Sequence, residues 1–420
     1  MSLDADIARW VSEAPTVVDL TRPEQDSWVR GVAEALEARC SKAAELVALE
    51  ENALEAPVLL RLAVKLAQSR LSLLARSKGF RVSVVFAVYK EHNRLRTQAE
   101  HPHGENSLVR KVEQLEWLFR GLPGASWQIL VVDDGCPENS GAVAQGIIDA
   151  NGYGERVRVL FLQDAIEQGH PMARGLSSTN DSQKGGSIEY GMSVAATEGG
   201  ADHVVVFTDA DLSTHLGQLG LLIDLILGGG SDVAIGSRRE PLSVVIKGGS
   251  RNTRGKLFIY LWKRLIPTLN PIVDTQCGFK GFRADVAKAI VTDTVEKRFA
   301  FDIELLLRAE LAHPGSISRA PVAWIDSEAA STTFDIGPYL SMLEGIVAMY
   351  RRLLPANSEA DAYAAFIESL DEAAWQRLLE AVPSAIADGD PRTFDACELV
   401  DIEDLRRGLG QVGDRETGDS

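Results

Sequence analysis

Apolar positions in the first 78 residues recur at helical spacing. In "SKAAELVALEENALEAPVLLRLAVKLAQSRLSLLARSKGF", Ala, Leu, Glu and Lys dominate, and "KGF" supplies a basic last residue and a glycine stop. From Arg81 the period changes. "RVSVVFAVY" is a dense β-branched run, followed by a helical stretch through Trp117 and Phe119. "WQILVVDDG", "RVRVLFL", "HVVVFTDAD" and "SDVAIGSRR" predict four more strands. Between them "AVAQGIIDA", "GGSIEYGMSVAATEGG" and "LGQLGLLIDLILGGG" predict helices. Alternation of helices with nearly continuous apolar strands predicts an α/β fold with a mostly parallel twisted sheet, covered by helices on both faces. The pattern turns helical again after residue 355. The expected organisation is a helical extension over 1–78, an α/β domain over 79–355, and a helical tail over 356–420 whose end, "GQVGDRETGDS", reads as disordered.

Charge sharpens this division. The 420 residues carry a net charge of -17. Residues 356–420 hold 16 Asp and Glu against 5 Arg, so most of the excess belongs to the tail. An acidic net charge disfavours general nucleic-acid binding, which needs a basic face. Cys40, Cys136, Cys277 and Cys397 stand far apart with no CxxC pair, which argues against a zinc site or a disulfide framework and fits a reducing cytoplasm. No apolar run reaches the roughly 18 residues that a spanning helix needs. Residues 1–7 do not resemble a signal peptide. The expected location is cytoplasmic, at most peripheral at the inner membrane face, and the helical arms offer surfaces for a homo-oligomer.

In a doubly wound sheet, ligands bind at the carboxyl ends of the strands. The polar clusters of this chain fall there: Tyr89 and Glu91, Asp133 and Asp134, Asp209 and Asp211, Arg238 and Arg239. Asp209 and Asp211 repel each other unless a cation sits beside them, and such an oxygen-rich pair suits Mg²⁺ or Mn²⁺ shared with substrate phosphates. A solvated turn before the next helix explains the pair equally well in isolation. In "VVDDGCPENSG" a carboxylate can accept from a base or a ribose, or simply serve a turn. "KGGSIEYG" opens a helix, where glycines, the helix N-terminus and Lys184 favour an anion; no GxxxxGK[ST] loop is present. "IKGGSRNTRGKLFIYLWKRLI" gathers Lys247, Arg251, Arg254, Lys256, Lys263 and Arg264. Arg251 and Arg254 are candidates to grip a diphosphate or an anionic membrane surface, whereas Lys263 and Arg264 read as a solvated helix face. "HPH" at 101–103 reads as a surface loop.

In this order the segments resemble family 2 glycosyltransferases, over residues 81–352. "FAVYKEHN" resembles the first-strand element of that family, "VVDDGCPENSG" the second, "KGGSIEYGM" its glycine loop and helix, and "FTDADLS" its DxD metal motif. "DTQCGFKGFRADVAKAI", "FAFDIELLLRAE" and "VAWIDSEAAST" resemble the polyprenyl-phosphate (dolichyl-phosphate) glucosyltransferase branch. Ala87 and Lys90 depart from the Pro and Asn usual in the family. The resemblance implies the nucleotide-diphosphosugar transferase (GT-A) fold, a nucleotide-sugar donor with UDP preferred over GDP and glucose as the sugar, and inversion at the anomeric carbon. It implies that Tyr89, Glu91 and Asp134 line the nucleoside, with Lys184 near it. Asp209 and Asp211 would hold the divalent ion, with Asp209 also at the donor diphosphate. Asp274, Gln276 and Lys280 would lie near the transferred sugar. The segment "DAIEQGHPMARGLSSTND" looks like an insertion, a candidate lid over the site with Arg174 as a candidate phosphate contact.

The acceptor divides on physical grounds. A polyprenyl phosphate brings its own anionic nucleophile, whereas a hydroxyl of a soluble small molecule needs a carboxylate base. "FDIELL" offers Asp302, with Glu304 second, although a carboxylate there also suits a helix N-terminus. Two rival readings are a sugar-1-phosphate nucleotidyltransferase and a non-catalytic nucleotide-sugar-binding scaffold. "AVYKEHNRL" has no glycine for the phosphate loop that the first of these needs.

Overall fold

A computed structural model describes residues 3–200, 202–246, 252–326, 337–395 and 400–416. The chain divides into two compact units, one of residues 1–247, 277–293 and 313–332, the other of residues 248–276, 294–312 and 333–420.

The first unit holds the sheet. Its strands are β1 (Arg81–Val88), β2 (Ser126–Asp133), β3 (Val157–Phe161), β4 (His203–Thr208), β5 (Val233–Ser237), β6 (Val244–Ile246), β7 (Phe279–Arg283), β8 (Ile317–Pro321) and β9 (Ala323–Ile325). Seven form one sheet in the order β3-β2-β1-β4-β7-β5-β8, and β6 pairs with β9. The five strands read from the sequence are all present. The β1, β2, β3 and β4 pairings are parallel, with Arg81 beside Ser126 on one side and His203 on the other. β7 is the exception. It runs antiparallel between β4 and β5, which sets Phe279 beside Thr208 and Lys280 beside Phe207. Its five residues, FKGFR, contain a lysine and a glycine and give no apolar run.

Eleven described helices belong to this unit: α1 to α4 (Leu3–Glu13, Pro23–Glu37, Ala43–Glu51, Val58–Leu74), α5 (His92–Leu95), α6 (Ser107–Phe119), α7 (Ser140–Asn151), α8 (Leu162–Glu167), α9 (Gly185–Thr197), α10 (Leu219–Ile223) and α12 (Ala284–Ile290). Side chains alternate along a strand, so β1 serves two layers. Val82, Val84, Phe86 and Val88 join Val29, Leu36, Leu62 and Leu66 of the N-terminal helices in one apolar core. Val85 points to the other face, where α9 lies across β1 and β2. The N-terminal helices thus share a core with the sheet. That core also contains a fully buried ion pair, with Lys65 Nζ 2.8 Å from Glu50. The insertion-like segment builds a small apolar cluster of its own, with Leu162, Ala165, Ala173 and Leu176 packed beside Tyr190.

Among described residues the second unit is helical: α11 (Asn252–Leu265), α13 (Phe301–Ala312), α14 (Gly337–Leu353), α15 (Ser358–Glu368), α16 (Glu372–Glu380), α17 (Ser384–Ala387) and α18 (Ile402–Glu416). Asn357 and Asp371 cap α15 and α16 by accepting backbone N–H bonds. The acidic segment is packed through Tyr363, Trp375, Leu378 and Phe394, all buried. Lys263 and Arg264, expected on a solvated face, are buried instead. They donate to the carbonyls of Asn270 at 2.8 Å and Phe394 at 3.0 Å. Long basic stems can cross an apolar layer when a carbonyl waits at the end. Of the end expected to be disordered, residues 417–420 lie outside the described residues. No described helix is long and apolar enough to cross a membrane.

α9 reaches the sheet because Gly191 has no side chain. A Cβ there would stand 2.4 Å from Val85 Cγ1 and 2.8 Å from Val132 Cγ2. Gly191→Ala should therefore cost about 1–2 kcal/mol by urea unfolding, overpacking outweighing the better helix propensity of alanine.

Candidate active site

The strands deliver their polar residues to one edge. Tyr89 follows β1 and is exposed, with the Lys90 ammonium 5.6 Å from its ring centre. The Lys90 N–H donates to Cys136 Sγ at 3.1 Å and the Glu91 N–H to Ser140 Oγ at 3.0 Å, which ties the loop after β1 to the loop after β2. Asp133 holds the second loop in shape by accepting from the N–H groups of Cys136 and Gly141. Its neighbour Asp134 is buried against the start of α9 and accepts from Ser187 Oγ at 2.6 Å. Burial pushes the Asp134 carboxyl up to about 6, against the bonds from Ser182, Ser187 and the Lys184 N–H.

Asp209 and Asp211 follow β4. Lys184 Nζ lies 2.5 Å from Asp209 Oδ1. This lysine stands at the head of α9 with φ +114°, a strained value for a residue with a side chain. Lys280 is fully buried on β7, donates to the Cys277 carbonyl at 2.6 Å, and lies 5.1 Å from the Phe207 ring centre. Lys111 on α6, also fully buried, donates to the Asp211 carbonyl at 2.6 Å. Burial alone would raise the Asp209 carboxyl; Lys184, Lys280 and Lys111 outweigh it and hold the group below the usual range. Burial brings Lys111 down to about 8, with Asp211, Asp209 and Glu105 resisting. Asp211 Oδ1 accepts from the Ser213 N–H at 3.0 Å. Glu91 is ion-paired with Arg94, which reaches Glu105 as well. Burial raises the Glu91 carboxyl, Arg94 opposes, and the charge of Asp211 adds to the rise.

The antiparallel entry of β7 brings Gly278 against this pair. A Cβ on Gly278 would stand 2.2 Å from Asp209 Oδ2. The carboxylate therefore lies directly on backbone.

The other expected site residues belong to the second unit. Gln276 Nε2 donates to Asp302 Oδ1 at 2.5 Å, and Asp302 is buried in the first turn of α13. Asp274 is buried. Glu304 accepts from the N–H groups of Val295 and Glu296 and from Arg308, so its carboxylate is committed to packing. Arg254 is exposed on α11, and Lys247 and Arg251 lie outside the described residues. In the first unit, Arg174 is exposed and paired with Asp293 at 3.1 Å.

Sequence reasoning missed Arg94, Lys111 and Gly278. Lys111 had a signal: it shares the stripe 108–111–112–115 with Leu108, Val112 and Leu115, an apolar face where a lysine is out of place. Gly278 had none, since its role depends on strand order.

The profile of the family described as Glycosyl transferase family 2 matches residues 105–291. A dolichyl-phosphate β-glucosyltransferase of Drosophila melanogaster is 30% identical over 277 residues, 64% of this chain and 73% of that protein. The chain belongs to this family. The glycosyltransferase AglD of Haloferax volcanii is 26% identical over 250 residues, 60% of this chain. The match spans about a third of that archaeal protein's length, 34%. Among solved structures, glucosyl-3-phosphoglycerate synthase of Mycobacterium tuberculosis, in complex with Mn²⁺, UDP-glucose and glycerol 3-phosphate, is 15% identical with a TM-score of 0.45, covering 70% of this chain and 86% of that one.

Two outcomes follow from this geometry. Gly278→Ala should displace the Asp209 carboxylate and weaken binding of a nucleotide with Mn²⁺ by about tenfold or more, read by calorimetry. Asp134 has its pKa raised on folding, so ionising it costs stability as pH climbs from about 4 through 6. Urea unfolding should show Asp134→Asn gaining on the wild type over that interval, by up to about 3 kcal/mol, with no further gain above it.

Proposed function

We propose that this chain is a metal-dependent inverting hexosyltransferase that moves glucose from UDP-glucose, in preference to a GDP-sugar, onto a polyprenyl phosphate. The observation that carries the reading is the gathering of Lys111, Lys184 and Lys280 around Asp209 and Asp211 at the strand ends of a family 2 member. The name of the fly relative supports the sugar and the acceptor class.

Asp209 and Asp211 would hold Mg²⁺ or Mn²⁺. No group of three or more His, Cys, Asp or Glu suited to a metal occurs among the described residues. Two carboxylates are the protein's share when an ion completes its shell with water and phosphate oxygens, and Gly278 leaves the Asp209 carboxylate accessible where a side chain would crowd it. A divalent ion held there would supply the positive charge that neutralises the leaving nucleoside diphosphate. Lys184, which is paired with Asp209, would turn to a phosphate oxygen of the donor. Lys111 and Lys280 would supply fixed positive charge beside Asp209. Tyr89, Glu91 and Asp134 would line the nucleoside. A phosphate acceptor needs no base; Asp302, steadied by Gln276, would be the base for a hydroxyl of a soluble small molecule.

A panel of UDP- and GDP-sugars with Mn²⁺ or Mg²⁺, scored by thermal shift and by transfer to a short-chain polyprenyl phosphate, tests this. UDP-glucose should give the largest rise in melting temperature. EDTA should abolish transfer and added Mn²⁺ restore it, and Asp211→Asn should lower turnover about a thousandfold with the fold intact. Undiminished transfer by that variant in EDTA would sink the proposal. Release of pyrophosphate from a nucleoside triphosphate would favour the nucleotidyltransferase reading.

A further inference from the structure

Downstream of the carboxylate pair, the loop ends in a knot tied to the N-terminal helices. His215 Nε2 lies 2.7 Å from Asp26 Oδ1 on α2, and both side chains are almost fully buried. His215 Nδ1 accepts the Gly217 N–H at 2.9 Å. That ring nitrogen is therefore a lone-pair acceptor, and the proton sits on Nε2, pointing at Asp26. The second oxygen of Asp26 is ion-paired with Arg30 at 2.7 Å and with Arg110 at 3.4 Å. Burial would raise the Asp26 carboxyl, but the hydrogen bond from His215 and the guanidinium groups of Arg30 and Arg110 hold it below the usual range.

Neighbouring bonds extend the knot. The Leu216 N–H donates to Gln114 Oε1 on α6 and the Gly220 N–H to Ser69 Oγ on α4, each at 2.8 Å. The Ser213 carbonyl accepts the Ile325 N–H at 2.9 Å. The loop from Asp209 is thus held by β4 at one end and by His215 at the other, with Asp211 four residues before the knot. Asp26 lies outside the span that matches the family profile, residues 105–291, so this anchor comes from the arm and not from the matched domain.

We propose that the N-terminal helices are a working part of the donor site, with Asp26 a positioning residue that acts through His215 to fix the loop carrying Asp209 and Asp211. This rests on the metal and donor role given to that loop above. Removing the anchor leaves the His215 ring free to leave Gly217, and the carboxylates then sample geometries that do not share one ion.

The test uses the full chain and two readouts. Amide hydrogen exchange of residues 209–217 reports loop order without any ligand. Calorimetry with UDP and Mn²⁺ reports binding. Asp26→Ala should speed exchange at Leu216 and Gly217 by about tenfold or more and weaken UDP–Mn²⁺ binding about 10- to 100-fold. Asp26→Asn should stay within about threefold of wild type in both, because its amide oxygen still accepts from Nε2–H. Arg30→Met removes an ion pair of the same carboxylate but leaves the His215 bond, and should change neither by more than about twofold. Should Asp26→Ala not fold, His215→Asn keeps an acceptor for Gly217 while losing reach to Asp26, and the same loosening is expected. Unchanged exchange in whichever of these two variants folds, or equal loosening by Arg30→Met, would overturn the inference. Wild-type protein that binds no UDP with Mn²⁺ would instead overturn the donor-site reading and the binding role with it, while exchange would still decide whether the arm orders the loop.

Discussion

Two carboxylates one residue apart at the mouth of a buried strand repel each other, and much of the first unit is arranged around that repulsion. Three ammonium groups reach the pair from three directions: Lys184 from the head of α9, Lys280 from β7 and Lys111 from α6. Two of them are fully buried, a position a lysine holds only with charge or a carbonyl to receive it. Each is held by a different element, so two helices and a strand must all be in place before the carboxylates are balanced. Together the three lysines outweigh burial and hold the Asp209 carboxyl below its usual range.

Strand order supplies the second constraint. A wholly parallel sheet would put only strand ends at this edge. Because β7 runs the other way, its beginning lies there, and Gly278 and Lys280 arrive beside Asp209 and Phe207. One reversed strand thus brings both a close backbone surface and a cation to the same carboxylate. The N-terminal helices add a third constraint. They share an apolar core with β1, β2 and β4, and through Asp26 they also bond the loop that follows the pair. An appendage joined by hydrophobic contact alone could slide; a buried bond between a neutral imidazole and an ion-paired carboxylate fixes register.

Much of this was legible in the residues themselves. Five apolar strands, the helices between them, the helical character of residues 3–74 and the clustering of polar residues at strand ends follow from period and composition, because burial of one or both faces imposes that pattern on any chain. The ordered segments around Glu91, Asp134, Lys184 and Asp209 likewise pointed to family 2, as the fly relative and the family profile bear out.

Tertiary structure decided what periodicity cannot carry. The five residues of β7 have no apolar run, since their side chains serve a charged site and a core at once, so neither the strand nor its direction was visible. Lys263 and Arg264 look like surface residues until the carbonyls of Asn270 and Phe394 are seen to receive them. Glu304 looks like a base until the N–H groups of Val295 and Glu296 claim it. Asp26 and His215 are 189 positions apart, and no local rule joins them. By itself the sequence determined which segments bury apolar surface and which residue types can do chemistry. Which charges neutralise one another depends on distances between segments remote in the chain, and only the folded arrangement sets those.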